Sequence, residues 1–115
     1  MGPTINGTVK VTKSKGVETL HAKTVDEVAD KMADSGEYER IFVNRSYGTA
    51  TDMNVSKRRP DVIGVRKDGK VDVVEVVSKN DKPKQLEKRM EEGLQTLPKE
   101  RRGKSSTVEM QAERE

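Results

Sequence analysis

The sequence contains no cysteine and no tryptophan, and His21 is its single histidine. Without cysteine the chain can form neither a disulfide framework nor a thiolate metal site, and its redox compartment is left open. A single histidine excludes metal centres that are built from several imidazoles. It also weakens the case for a catalytic triad.

Aromatic side chains are scarce too, since Tyr38, Phe42 and Tyr47 make up the 3% of the chain that is aromatic. A platform that stacks the bases of single-stranded nucleic acid needs several exposed rings, so that class of protein is disfavoured. No apolar run approaches the length of a membrane span, and the N-terminus lacks a signal-peptide core. We therefore expect no membrane partner, while the oligomeric state stays open.

At 115 residues, with 30% hydrophobic and 37% charged residues, the chain is expected to form one domain with a modest core. The net charge of +3 permits nucleic-acid binding without arguing strongly for it. We expect one domain over 1–115, with a core at about 24–110 and flexible ends.

Helical spacing predicts two helices. Thr24, followed three residues later by Glu27, has the pattern of a capping box, so the first helix should begin at Thr24. Segment 80–83 should begin the second helix, with its proline in the first turn, and Pro98 should end it. The apolar stripe of this second helix consists of Leu86, Met90 and Leu94, with Leu97 beyond.

The strands are expected at 8–12, 40–44, 61–66, 70–78 and 107–110. Asp68-Gly69 marks the tight turn of a hairpin, and valines on both faces of 70–78 predict a central strand covered on both sides. Residues 45–57 read as a loop, and 99–104 as a charged connection. The order α-β-β-β-α-β predicts an α/β (α+β) domain with a mixed sheet and helices packed on it.

Two carboxylates in the predicted hairpin point to chemistry. Glu75 lies among valines, where burying a charge is costly unless a cation, a metal or a hydrogen-bond network compensates it. Asp61 opens the first strand, and neighbouring strands bring side chains close together. Hard oxygen ligands of this kind hold the divalent ions that assist phosphodiester hydrolysis.

The segments Arg-Pro-Asp-Val-Ile-Gly at 59–64 and Val-Val-Glu-Val-Val-Ser at 73–78 stand within this order of elements. Together they resemble the PD-(D/E)xK nuclease superfamily, over about 24–110, and look like the small C-terminal nuclease domains of bacterial polymorphic toxins. The resemblance implies a restriction-endonuclease-like fold and a metal-dependent nuclease that hydrolyses DNA or RNA.

By this resemblance Asp61 and Glu75 would be catalytic acids that bind Mg²⁺ or Mn²⁺, and Glu27 would be the additional helical acid. Gln85 would be the polar residue of the second helix that faces the site. The toxin resemblance further implies a cognate immunity protein and delivery from a longer carrier into a target cell's cytoplasm. Without that resemblance a cytoplasmic location is expected.

Val77 departs from the superfamily pattern, because it stands where the motif has its catalytic lysine. Strand alternation places Lys79 on the same face as Glu75, so Lys79 is a candidate for the catalytic lysine. Lys84, at the start of the second helix, is another cation that could reach the site or the nucleic acid.

The departure leaves an alternative function open, a degenerate nuclease-fold domain that binds nucleic acid or a protein partner without cleavage. In either case Arg58 and Arg59 would grip the phosphate backbone. A third interpretation, a structural or protein-interaction domain with no nucleic-acid role, is kept open by the nearly balanced charge.

Overall fold

The computed structural model describes residues 4–5, 8–12, 19–78 and 81–110, which form six strands and three α-helices. The strands are β1 (Thr4–Ile5), β2 (Thr8–Thr12), β3 (Tyr38–Val43), β4 (Val62–Arg66), β5 (Val71–Val77) and β6 (Arg102–Glu109). The helices are α1 (Leu20–Asp34), α2 (Tyr47–Thr51) and α3 (Pro83–Gln95), with a 3₁₀ turn at Lys99–Arg101. The predicted flexible ends lie largely outside the described residues.

The strands follow one another across a single mixed sheet in their chain order. β2–β3 and β5–β6 are parallel pairs, and the other neighbours are antiparallel. Parallel neighbours need a crossover connection, which α1 and α3 provide. The predicted order α-β-β-β-α-β is therefore confirmed as α1-β3-β4-β5-α3-β6, and the class is α+β with a mixed sheet.

Helices cover both faces of the sheet, so the core has two halves. On one face Val74 and Val76 of β5 share a buried cluster with Val25 of α1. On the opposite face Val73 shares a buried cluster with Met90 of α3. The prediction of a central strand covered on both sides is confirmed, since β5 lies between β4 and β6.

Helix α1 begins earlier than predicted, and the capping box at Thr24 is wrong. Thr19 is the N-cap, because its hydroxyl accepts a hydrogen bond of 3.0 Å from the backbone N–H of Ala22. Thr24 lies buried inside the helix and donates its hydroxyl to the carbonyl of the residue four positions earlier. The earlier start places His21 in the first turn of α1.

Two further segments differ from expectation. Part of the predicted loop is the short helix α2, whose N-cap Ser46 accepts a hydrogen bond of 3.1 Å from the N–H of Thr49. β6 begins at Arg102 rather than Thr107, so the charged connection is partly strand. β6 is the outermost described strand next to β5, where backbone pairing tolerates exposed charged side chains.

No helix within the described residues has the length and apolar character needed to cross a bilayer.

Candidate active site

Asp61 lies immediately before β4, and both neighbouring strands fix its position. The backbone N–H of Asn44, after β3, donates a hydrogen bond of 3.0 Å to the carbonyl of Asp61. The backbone N–H of Val76, on β5, donates one of 2.7 Å to the Asp61 carboxylate. The carboxylate is therefore held at the open end of the β4–β5 hairpin.

The hairpin register places Glu75 opposite Asp61. Val62 of β4 pairs with Val74 of β5 in the antiparallel ladder, so the next pair towards the open end is Asp61 with Glu75. Directly opposed residues have Cβ atoms about 4.5–5.5 Å apart on the same face of the sheet. The two acids that the sequence singled out are thus brought together.

The environment of Glu75 favours its protonated form. Burial, the facing charge of Asp61 and a hydrogen bond with the Asp61 side chain raise the pKa of Glu75 to about 7, while Arg89 acts in the opposite direction. Two carboxyl groups this close cannot both ionise without a compensating positive charge. At neutral pH about half of the Glu75 side chains are therefore protonated.

His21 approaches Asp61, and the charges of His21 and Arg89 also act on Asp81, although the sequence motif includes neither His21 nor Asp81. The Nε2 atom of His21 lies 3.4 Å from the Asp61 carboxylate. Hydrogen bonds from Ser78 hold the pKa of the Asp81 carboxyl below its usual range, and the charges of His21 and Arg89 act in the same direction. The position of His21 could have been predicted from an N-cap at Thr19, because a helix that begins there has His21 in its first turn.

A cleft of about 550 Å³ opens beside Glu75, between α3 and the segment before β4. Its α3 lining is spaced at i, i+3, i+4 and i+7, which is one face of a helix. The lining residues are Tyr47, Arg58, Arg59, Pro60, Glu75, Gln85, Lys88, Arg89 and Glu92. Four of these carry positive charge, which suits a phosphate-bearing ligand.

Tyr47 forms the buried side of the cleft where α2 meets α3. Its side chain is 1% exposed, and its hydroxyl donates a hydrogen bond of 3.3 Å to the carbonyl of Met90. A Cβ on Gly93 would overlap the Tyr47 ring, so glycine allows this close packing. Burial, followed by the nearby charge of Glu75, raises the pKa of Tyr47.

The cations in the cleft differ in their surroundings. Arg58 pairs with Glu92 at 3.2 Å, and both side chains are about half exposed, so this ion pair contributes little stability. Arg89 lines the cleft with Glu75, and its charge partly offsets the rise in the pKa of Glu75. Arg89 was not among the cations singled out in the sequence, because only lysines were considered for the motif position.

The other predicted site residues are placed as follows. Gln85, Arg58 and Arg59 line the cleft with Glu75. Glu27 and Lys84 are exposed and do not belong to the cleft lining. Their roles stay predictions. Val77 is half-buried at the end of β5, and Lys79 lies outside the described residues.

The metal-binding capacity of the site rests on Asp61 and Glu75. In the part of the chain that the structure describes, no group of three or more His, Cys, Asp or Glu side chains is arranged to hold a metal ion. Mg²⁺ is commonly held by only one or two carboxylates, with water completing its shell. Two facing carboxyl groups fit this requirement, since a divalent cation can take the place of the proton on Glu75.

Comparison of the chain with protein-family models, with curated proteins and with solved structures gave no match. Any function assigned to the site therefore rests on its residues and their geometry.

Proposed function

We propose that this chain is a metal-dependent nuclease of restriction-endonuclease-like fold that hydrolyses phosphodiester bonds of DNA or RNA. The observation that carries the proposal is the opposition of Asp61 and Glu75, with the pKa of Glu75 raised to about 7. A carboxyl group perturbed by burial and by a specific neighbouring charge is typical of functional sites. The adjoining positively charged cleft supports a phosphate-bearing substrate.

Asp61 and Glu75 would hold Mg²⁺ or Mn²⁺. When bound, such an ion acts as a Lewis acid towards the phosphate oxygens and the attacking water. Glu75 must be deprotonated to serve as a ligand, so binding releases a proton near neutral pH. Glu27 remains a predicted third acid, although its exposed position offers less support for this role than that of the hairpin pair.

We assign the role of the missing motif lysine to Arg89. Val77 has no charge, whereas the guanidinium of Arg89 is close enough to Glu75 to influence its ionisation. A guanidinium can donate paired hydrogen bonds to phosphate oxygens as negative charge builds up on them. The cation beside the acidic pair is then supplied from α3 instead of from β5. Lys79 stays an alternative prediction.

The reaction itself is a hydrolysis. A water molecule gives up a proton as its oxygen bonds to phosphorus, the bond from phosphorus to one ester oxygen breaks, and that ester oxygen takes up a proton. His21 has a nitrogen near Asp61 that can hold or pass on a proton. Gln85, in the cleft beside Glu75, can orient a water or a phosphate oxygen through its amide.

The test is cleavage of plasmid DNA and of total tRNA with Mg²⁺, with Mn²⁺, and with a chelator. We expect cleavage that requires a divalent ion and that Asp61→Asn or Glu75→Gln reduces at least about a hundredfold. Glu91→Gln is the matched control, because Glu91 is an exposed acid on α3 outside the cleft lining. Absence of cleavage by the folded protein with either substrate would contradict the nuclease proposal.

Val77 favours one alternative, a domain that binds nucleic acid or a protein partner without cutting. At this position a half-buried valine replaces the expected lysine. Salt-dependent binding of nucleic acid, without cleavage under any metal condition, would support this alternative. Val77→Lys would then test whether one added cation restores hydrolysis.

We further propose, from the resemblance to toxin nuclease domains, that the chain is an effector module delivered into a target cell and neutralised by an immunity protein. Expression of the chain in bacterial cytoplasm should arrest growth. Asp61→Asn should abolish the arrest, and Glu91→Gln should leave it. Growth arrest that persists in a folded Asp61→Asn protein would separate toxicity from the carboxylate pair.

A further inference from the structure

A second cavity, of about 390 Å³, lies beside the end of β3 and α2. Its cationic lining residues are Arg45, Lys57 and Arg59, and the lining described in the structure includes no aspartate or glutamate. The other polar lining residues have uncharged side chains that form hydrogen bonds, namely Asn44, Ser46, Thr49 and Asn54. A concave surface with charge of one sign attracts a ligand of the opposite sign, here an anion.

Backbone hydrogen bonds build this second cavity by folding segment 56–58 back onto α2. The N–H of Tyr47 donates to the carbonyl of Arg58 at 3.3 Å, and the N–H of Gly48 donates to that of Ser56 at 3.2 Å. The same contacts carry Lys57 to the side of α2. The main chain thus gathers these cations, and none of them pairs with an acidic side chain of a residue that the structure describes.

Arg45 contributes a half-buried cation to the second cavity. Among the described residues, its Nε is a buried nitrogen atom without a hydrogen-bond partner. A buried donor that stays unpaired costs about 1–3 kcal/mol, so such groups usually have a partner that completes them. Because the Nε is buried, the Arg45 side chain would have to turn towards the second cavity for an anion to satisfy this donor.

Arg59 connects the second cavity to the cleft, because it lines both. We propose that the second cavity binds a backbone phosphate of the nucleic-acid substrate, at a nucleotide next to those in the cleft. The inference rests on the proposed nuclease function. The substrate strand would run from the acidic pair, past Arg59, to the guanidinium of Arg45, and this contact would set affinity and register rather than perform chemistry.

The experiment measures binding of a fluorescent oligonucleotide in a chelator, so that cleavage cannot interfere, from about 50 to 200 mM salt. The double variant Arg45→Met with Lys57→Ala should weaken binding at least about fivefold and lower the salt slope by about one per side chain. Lys57→Ala alone, at an exposed position, keeps the test valid if the Arg45 change disturbs folding.

The matched control is Lys31→Ala with Lys67→Ala, which removes the same charge from exposed positions on α1 and at the hairpin turn. Equal loss of affinity in both double variants would overturn the proposal, because net charge alone would then explain the effect. Competition with inorganic phosphate distinguishes the ligand source. If the Arg45→Met, Lys57→Ala double variant loses binding of inorganic phosphate but keeps its affinity for the oligonucleotide, the proposal is also overturned.

Cleavage assays separate this inference from the proposed function. With Mg²⁺, the double variant should raise KM about as much as it weakens binding and leave kcat within about twofold. If the wild-type protein binds through the second cavity but never cuts, the nuclease proposal fails and the phosphate site stands. If Asp61-dependent cleavage is seen and the double variant binds like the wild type, only the phosphate site is refuted.

Discussion

The surroundings of Glu75 conflict with its ionisation, so this residue makes stability depend on pH. An unfolded chain ionises glutamate near pH 4.3, whereas burial and Asp61 raise the pKa of Glu75 to about 7. Between these values the folded state binds more protons than the unfolded state, so the free energy of unfolding falls as pH rises. The contribution of Glu75 to the free energy of unfolding is therefore fully present below about pH 4 and is lost above about pH 7.

This conflict predicts the behaviour of Glu75→Gln, which cannot ionise. Relative to the wild type it should be more stable by roughly 1–2 kcal/mol at about pH 8, after allowance for solvent screening, and equally stable near pH 4. Chemical denaturation at both pH values measures the difference. A stability gain of the same size at both would attribute the effect to packing instead of ionisation.

Arg89 is the residue whose loss should change the pH dependence of the site. Its charge lowers the pKa of Glu75, so Arg89→Met should raise that pKa further and shift Mn²⁺ binding to higher pH. Cleavage at saturating substrate should fall roughly a hundredfold. Calorimetric Mn²⁺ titration across pH measures the first effect, and kcat measures the second.

Two variants make the Arg89 prediction specific. Lys88→Met removes a neighbouring cation of the same cleft lining and should leave the pH profile of Mn²⁺ binding in place. Arg89→Lys keeps the charge and should retain most of that profile, with part of the kcat. If Lys88→Met reproduces the Arg89→Met shift, the effect belongs to the cleft's overall charge.

At the scale of elements, the close approach of α3 and α2 depends on Gly93. Alanine in a helix is favoured over glycine by about 1 kcal/mol, which alone would stabilise Gly93→Ala. However, the added Cβ would overlap the ring of Tyr47, which is 1% exposed and has no room to move. Overpacking costs about 1–3 kcal/mol, so we expect net destabilisation.

The measurement for Gly93→Ala is urea denaturation, with Glu91→Ala as an exposed control on the same helix. Because Tyr47 lines the cleft, the variant should also weaken nucleic-acid binding at temperatures where it stays folded. A variant more stable than the wild type would mean that α3 moves away from α2 without cost.

The elements differ in how far the sequence could predict them. The hairpin was predictable to within a residue, because alternating valines and the Asp68-Gly69 turn act locally. The pairing of Asp61 with Glu75 followed from that register. The start of α1 was missed because Thr24 offered a second capping pattern, and only tertiary packing buries it inside the helix.

Local sequence patterns could not predict which residues α3 contributes to the site. The stripe Leu86, Met90 and Leu94 was predictable, and all three are buried. Which polar face then lies over Glu75 depends on how the crossover to β6 orients the helix on the sheet. Arg89 could therefore be recognised only once the helix and the sheet were seen together.

At the scale of the whole molecule, the two ends of the β4–β5 hairpin differ in how well the surroundings stabilise an ionised acid. Asp72, near the turn, is 6% exposed and accepts hydrogen bonds from Tyr38, Arg66 and the backbone of Lys104. At the open end, Asp61 accepts one hydrogen bond from Val76 and lies 3.4 Å from His21, and the pKa of Glu75 is nevertheless raised to about 7. Hydrogen bonds therefore stabilise the ionised acid at the turn end. At the open end, a bound cation would stabilise the ionised form of Glu75.

This contrast predicts that a substitution at the turn end lowers stability and leaves ion binding intact. A substitution at the open end should abolish ion binding with little effect on stability. Asp72→Ala removes a buried acceptor that Arg66 and Tyr38 share, and Arg66 then keeps only its ion pair with Glu37, so unfolding should become easier by about 2–4 kcal/mol and Tm should fall by several degrees. Asp61→Ala relieves repulsion at Glu75 but loses the hydrogen bond to Val76, so stability should change by less than about 1 kcal/mol.

Scanning calorimetry with and without Mn²⁺ checks both ends at once. A ligand that binds only the folded state raises Tm, so the wild type and Asp72→Ala should both gain stability from the ion. Asp61→Ala should gain none, although it is the more stable of the two variants. The opposite pattern, with the ion response lost in Asp72→Ala and kept in Asp61→Ala, would place the ion at the turn end. The hairpin's open end would then need another explanation for its two facing acids.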